Sequence, residues 1–484
     1  MPINKAEFIL ENSGQASGQS AVANNGSTRF LSVWYKNNEI WGQYSERGNL
    51  IGAAFPVASA ASNIDTTRDL RLLMNASGNA VALWVGSNHK LYAQQIPADS
   101  NAGNLMLAPI VASLSGDPAD VVTEVSIDPV SSAMRFGRDY SAVMDDAGNF
   151  YTASQGHSTV KFDASGVYQG LAWRGNLDGM TCSMSAEENY FASLYTDAPL
   201  TEASFGTGKQ WVPRSSLPID LGYSSSNSCY SESAINSNGN VARAYIYGSK
   251  VYVSRINVNG IAATDLMELE VGKGYTWSKS PVRIFHTPVE VAVAIDENDN
   301  ISVAWISLEG KLTDKFMDTL MTQSALTTVI NTQAYVDGQL TFPKTFKTPN
   351  NGDIGVVGAT LAKKTGVIFN NLRMASNNTG GVALTWTENK YDPKQASVPQ
   401  QGVVKSTVVI GKYTTAMKPV GGVVTVAKAS KAVGTTPNYV SPRFSDIAID
   451  NQGSIQVNWE KLVSTAGVET PAALARFYPG KGVK

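Results

Sequence analysis

The sequence predicts an all-β protein in which one four-stranded antiparallel sheet is copied around a ring, and three observations lead there. The first is a recurring unit: an apolar residue, a tight polar turn, and a strand that ends in an aromatic. Met74 to Trp84, Ile235 to Tyr245, Ile295 to Trp305 and Ile449 to Trp459 each span it at the same spacing. Recurrence at fixed internal geometry is the mark of a repeat architecture. The second lies just beyond each clear unit. Residues 39–44, 90–96 and 250–256 alternate apolar and polar side chains, as half-buried third strands do. A fourth segment comes after another turn, as at 50–57 behind Arg47-Gly48-Asn49. The third is that no helical periodicity is sustained anywhere, which excludes coiled coils and βαβ folds. Four antiparallel strands per unit, repeated at intervals of roughly 40 to 80 residues, describe the blades of a β-propeller.

Aligned on the apolar residue before each turn, the chain gives eight units, anchored at Val22, Met74, Met144, Met184, Ile235, Ile295, Met374 and Ile449. The aromatic falls at Trp84, Tyr245, Trp305 and Trp459, and two positions further on at Trp34 and Trp386. The Met144 and Met184 units carry Ser154 and Leu194 instead, so seven blades is the alternative count. The whole of 1–484 reads as a single propeller domain. Its last unit stops after a third strand at 472–478, while a spare strand-like segment, 6–11, precedes the first unit. Pairing the two within a closing strand of residues 1–12 would complete the final blade and cover its open edge.

Charged residues make up 16% of the chain and the formal charge is −2, without the basic face that nucleic acid requires. No run of about 18 apolar residues exists, so no membrane span is expected. Residues 1–8 lack the apolar core of a secretory signal; the chain stays inside, leaves by another route, or is given in mature form. Cys182 and Cys229 are too few for a disulfide scaffold, and fall where either two buried thiols or a single bridge would fit.

The segments Leu91-Tyr92-Ala93-Gln94-Gln95, followed by Ala98-Asp99, and Ile40-Trp41-Gly42-Gln43-Tyr44, followed by Gly48-Asn49-Leu50, carry a resemblance. They resemble the degenerate propeller repeats of large bacterial secreted and surface proteins, or of phage particles. The resemblance implies a surface or binding role rather than an activity. Tryptophan-aspartate, kelch and sialidase-type aspartate-box signatures are absent.

In a propeller the first strand of each blade lines the central channel. Read backward from each anchor, its start is polar: Gln19, Asp69, Asp139, Asp178, Glu232, Glu290, Asn371 and Asp446. Asp69, Asp139, Asp178, Glu232, Glu290 and Asp446 are therefore the candidate ligand-binding residues at the channel mouth. All but Asp178 sit at odd offsets from their anchors, on one side of the strand. Such a cluster would hold a hard cation, Ca²⁺ above all, or a cationic group of a partner. The competing reading is a self-satisfied ion-pair network, because Arg68, Arg138, Arg373 and Arg443 lie nearby. The longest loops, 113–137, 317–370, 389–403 and 461–470, emerge on this face, where a rigid scaffold would carry binding. Trp173, Trp211, Tyr275, Trp277 and Tyr391 are its aromatic candidates.

Elsewhere the signals are weaker. Asp296, Asn298 and Asn300 imitate the start of a calcium loop, but Ile301 replaces its glycine, so hairpin-turn chemistry is favoured. His89, His157 and His286 share no spacing for a metal site or a catalytic triad. Asn25, Asn75 and Asn377 begin N-glycosylation patterns inside turns. No catalytic residue, resident metal or cofactor is assigned. The sequence thus points to a non-catalytic binding or assembly propeller recognising a protein or glycan. A cell surface, virion or secreted particle is its expected place, with structural or adhesive roles. The alternative is a glycan-active enzyme, a hydrolase or lyase, using two channel carboxylates as acid and base.

Overall fold

Each blade turns on one Asn or Asp. The computed structural model describes residues 7–11, 13, 16–59, 64–66, 69–87, 91–98, 110–111, 140–154, 159–173, 231–247, 250–257, 265–269, 282–313, 324–341, 344–346, 354–357, 360–361, 366–391, 403–429, 439–466 and 468–480. In blades two to seven the turn residue is Asn75, Asp145, Asn236, Asp296, Asn377 and Asp450. Its Oδ1 accepts the backbone N–H four residues on, at 3.0, 2.9, 3.0, 2.9, 2.7 and 2.6 Å respectively. This is the side-chain mimic of a backbone turn that favours Asn and Asp there. The fourth turn residue must enter left-handed space, so it is glycine in five of these blades. Blade five puts Asp299 there, at φ 62°.

The turns also join neighbouring blades. Where the residue is Asn, its Nδ2 donates to a carbonyl of the next blade: Asn75 to Asp146 at 3.2 Å, Asn236 to Asp296 at 2.8 Å and Asn377 to Asp450 at 2.7 Å. Where it is Asp, the second oxygen turns inward. Asp145 Oδ2 accepts from Asn149 Nδ2 and Tyr151, and Asp296 Oδ2 accepts from Asn300 Nδ2. The imitation calcium loop at Asp296 is therefore hairpin-turn chemistry. The patterns at Asn75 and Asn377 are buried and engaged in the same way.

Among the described residues these repeats form seven antiparallel sheets. From the inner strand outward, blade one is Ala16–Asn24, Arg29–Lys36, Glu39–Glu46 and Asn49–Ala58. Blade two is Leu70–Met74, Ala80–Val85, Leu91–Ile96 and Ile110–Val111. Blade three is Tyr140–Met144, Phe150–Ser154, Thr159–Phe162 and Tyr168–Trp173. Blade four is Ser231–Ile235, Asn240–Tyr247, Lys250–Asn257 and Asp265–Leu269. Blade five runs Val282–Ile295, Ile301–Thr313, Ser324–Val336, Ile354–Val357 and Thr360–Leu361, with Gln339–Leu340 and Lys344–Phe346 also on its third strand. Blade six is Gly366–Ser376, Gly381–Tyr391, Val403–Thr414 and Val424–Lys428. Blade seven is Tyr439–Ile449, Ile455–Thr465 and Val468–Tyr478, completed by Glu7–Glu11.

The count is thus seven, the lower of the two expected. Ser233 of blade four lies 3.3 Å from Ser141 of blade three, Oγ to Oγ, so their inner strands are neighbours with no place for an eighth between them. The Met184 unit, with Cys182 and Cys229, lies outside the described residues.

Closure occurs as the repeat pattern predicts. Glu7, Phe8, Ile9 and Glu11 pair with Arg476, Ala475, Leu474 and Ala473. Phe8 and Leu10 pack against Trp34, Ala473, Ala475 and Phe477, tying the first residues to both end blades. The repeat tryptophans fill the spaces between sheets: Trp34, Trp84, Trp305 and Trp459 are at most 1% exposed. Truncating one such side chain costs about 3–5 kcal/mol. Among the described residues no helix is long and apolar enough to cross a membrane.

Candidate functional site

The inner strands of all seven blades line a cavity of about 160 Å³ on the axis. Counting back four residues from each turn Asn or Asp gives Arg71, Ser141, Glu232, Ala292, Arg373 and Asp446 in blades two to seven. Charge sits on the even blades and on blade seven, and the side chains reach one another across the axis. Arg71 donates Nε to Asp69 Oδ2 at 3.0 Å, and Nη1 and Nη2 to the two oxygens of Glu232 at 3.0 and 3.3 Å. Arg373 Nη2 approaches Asp69 Oδ1 at 3.6 Å from the far side, and its Nη1 donates to Leu372 O.

These are buried charges. The side chains of Arg71, Asp69 and Glu232 are 7%, 5% and 8% exposed, so this is the regime where an unmatched ion is costly. Burial works against the Arg71 charge, but Glu232 and Asp69 outweigh it and raise the guanidinium pKa further above its ordinary value. Arg71 also lies over the Tyr140 ring at 5.0 Å, and the Tyr140 hydroxyl donates to Leu83 O at 2.8 Å. Blades two, three and four are locked by this one guanidinium.

A second set of polar side chains binds the backbone of the next blade. Glu290 of blade five, wholly buried, accepts the N–H groups of Asn371 and Leu372 of blade six at 2.9 and 2.6 Å. Asn371 Nδ2 donates to Ser445 O of blade seven at 2.8 Å, and Asp446 of blade seven accepts Val22 N of blade one at 2.9 Å. Asn458 Nδ2 reaches Ala21 O beside it at 3.2 Å. The groups served in blades six and seven sit at bulges, where the ladders slip between Asn370 and Arg373 and between Arg443 and Asp446, whereas Ala21 and Val22 of blade one stand in register. A bulge frees backbone donors and aims them sideways, and Glu290 receives the two freed in blade six.

The structure therefore brings Asp69 and Glu232 together through Arg71, and sets Glu290 and Asp446 as inter-blade caps. Asp139 and Asp178 lie outside the described residues, as do Trp211, Tyr275, Trp277, Arg68 and Arg138. Trp173 and Tyr391 end their strands. The described acids Asp69, Glu232, Glu290 and Asp446 stand at odd offsets from their anchors, and the bulges in blades five and seven lie upstream of Glu290 and Asp446, so the count to these two crosses none. Arg71 is the residue that counting from the apolar anchors missed. Counting from the turn Asn or Asp puts it level with Glu232, Arg373 and Asp446. Among the described residues, no three His, Cys, Asp or Glu gather to hold a metal ion.

A second concavity lies on the rim, where blade six's outer strand meets the closing seam. It measures about 470 Å³ and is lined by Glu7, Thr425, Val426, Ala427, Lys428, Pro442, Trp459, Lys461, Leu474 and Arg476. Arg476 is its fixed element. It donates Nη1 to Val426 O of blade six at 2.6 Å, pairs through Nη2 with Glu7 of the closing strand, and lies 5.7 Å from the Trp459 ring. The apolar floor is Val426, Pro442, Trp459 and Leu474. Charged groups make the walls.

No protein-family model matches the chain, and no curated protein matches it. Solved structures offer distant likenesses. The BP39L lectin from Burkholderia pseudomallei is 10% identical, with 94% of this chain and 98% of that one covered at a TM-score of 0.38. AofleA from Arthrobotrys oligospora is 11% identical over 88% of this chain and 92% of its own, with a TM-score of 0.34. A mutant of the NanB sialidase from Streptococcus pneumoniae is 11% identical over 99% of this chain and 71% of its own, again at 0.34. Likenesses this remote assign neither ligand, activity nor family.

Proposed function

We propose that the protein is a non-catalytic, glycan-binding propeller, displayed on a cell surface, virion or secreted particle. The observation that supports it is the rim groove between blades six and seven. Its volume of about 470 Å³ suits a mono- or disaccharide, and its polar groups stand around an apolar floor. A fixed guanidinium and a carboxylate, Arg476 and Glu7, offer donors and acceptors that match sugar hydroxyls. Recognition is placed here rather than at the channel mouth, because the described channel acids already serve the fold.

The glycan-active enzyme is the competing reading. Two-carboxylate chemistry needs one acid free to give a proton and another free to act as base or nucleophile, at a spacing set by mechanism. Asp69 and Glu232 instead share Arg71, and Glu290 and Asp446 accept backbone N–H groups. A glycan panel read for both retention and turnover separates the two. Binding without product is expected; product formation that is lost in an Asp139→Asn, Glu232→Gln double variant would establish the enzyme.

A further inference from the structure

We propose that the rim groove selects an acidic saccharide, one bearing a carboxylate or sulfate group. This rests on the glycan-binding reading of the same groove and names its ligand class. Two observations carry it. The first is charge. Lys428 is exposed and Lys461 half-buried, both line the groove, and neither has an ion-pair partner among the described residues. Arg476 and Glu7 neutralise each other in the wall, which leaves the two lysines as an unbalanced positive rim.

The second is the residue that blade seven places at one position of the repeat. Seven residues beyond the turn, the second strand pairs with a fixed position of the third. That position is Gln94 in blade two, Gln333 in blade five and, by the same ladder, Gln43 in blade one, whereas blades three, four and six carry Val160, Ser254 and Gly411. Gln43 and Gln333 donate back into their own blades, to Gly52 O at 2.9 Å and Thr341 O at 2.8 Å. Blade seven has Arg476 there, opposite Val457, and it leaves its own sheet for Val426 of blade six. Among the described residues it is the one cation at this position, and it stands at the wall of a cavity.

The arrangement assigns roles. The ligand's anionic group meets Lys428 and Lys461, its hydroxyls meet Glu7 and the outer edge of Arg476, and its apolar ring face rests on Pro442 and Leu474. A folded acidic protein would need a contact several times wider than this groove.

Calorimetry with the full chain tests the assignment, using tetragalacturonate as the carboxylate probe, a κ-carrageenan tetrasaccharide as the sulfate probe and cellotetraose as the neutral one. Binding of either acidic probe is expected, weakening as NaCl rises from 50 to 500 mM, with no heat from cellotetraose. Lys428→Glu with Lys461→Glu should reduce affinity at least tenfold, and the Gln pair should reduce it less, both with an unchanged melting temperature. Acidic-probe binding that survives the charge reversal, or binding of neutral sugars alone, overturns the acidic assignment and leaves the glycan reading standing. If no saccharide of the panel binds while poly-glutamate does, both fall.

Discussion

Arg71 of blade two and Glu232 of blade four grip each other past blade three, Nη1 to Oε2 at 3.0 Å and Nη2 to Oε1 at 3.3 Å. A buried pair of this kind is weak grounds for net stability, yet removing one partner strands the other at about 3–5 kcal/mol. Arg71→Met, which takes the guanidinium from both Asp69 and Glu232 and leaves Asp69 the longer contact to Arg373, is expected to be the worst single change. Glu232→Gln should cost less, because Asp69 still neutralises Arg71. The double change Arg71→Met, Glu232→Met should destabilise by less than the two Met singles added together. Urea denaturation of these variants and the parent checks this ordering, and strict additivity would show that the pair is not coupled.

Removing residues 1–12 deletes the outermost strand of blade seven and bares the edge of Val468–Tyr478. It also takes Phe8 and Leu10 from their packing beside Trp34 and Phe477. A sharply lower melting temperature and concentration-dependent association are expected, since an unpaired edge recruits other strands. Leu10→Ala gives a milder form, about 2–4 kcal/mol for a buried leucine. A truncated chain that melts like the parent and stays monomeric on a sizing column would refute closure by this strand.

Much of this architecture is legible in the sequence because the repeat is written in local chemistry. The Asn or Asp, the left-handed glycine and the tryptophan after them are short-range signals, and closure can be read from one spare strand and one missing strand. The site was less legible for a physical reason. Offsets from the anchors find the acids but not their partners, since the donors that Glu290 receives are freed by a bulge between Asn370 and Arg373 in the next blade. Which carboxylate meets which arginine depends on contacts between distant blades. Arg71 and Glu232 are 161 residues apart, and no local pattern encodes their meeting. The rim groove was invisible for the same reason, since Glu7 and Arg476 stand at opposite ends of the chain.

Asp450 should make stability depend on pH. It is fully buried, and its Oδ1 receives Gln452 N and Ser454 N, while Oδ2 has no hydrogen-bond partner. In blades three and five the matching oxygen is served by Asn149 and Asn300; here the fourth residue on is Ser454. Burial pushes the Asp450 carboxyl up from its ordinary 3.8. A raised folded pKa means that its contribution is fully present below the unfolded value and is lost as pH rises through the folded one. Asp450→Asn removes the titration, so its advantage over the parent should grow between pH 3 and pH 7. Denaturation midpoints at both ends measure this, and a constant difference would mean that the carboxyl titrates normally.

Glu290 tests what the channel acids are for. Its two oxygens receive the N–H groups of Asn371 and Leu372, and Asn371 stands in left-handed space at φ 56°. Glu290→Ala leaves both donors buried and unpaired, at about 1–3 kcal/mol each, and leaves the Asn371 conformation held only through its side-chain bonds to Ser445. Glu290→Gln keeps one acceptor oxygen and turns an amide N–H toward the other donor, so an intermediate loss is expected. Amide hydrogen exchange gives the local readout: Asn371 and Leu372 should lose protection in the Ala variant before the rest of blade six does. If both amides keep their protection and the denaturation midpoint stays put, Glu290 is not an inter-blade cap, and the case for reading these acids as structure rather than chemistry loses its best-placed member.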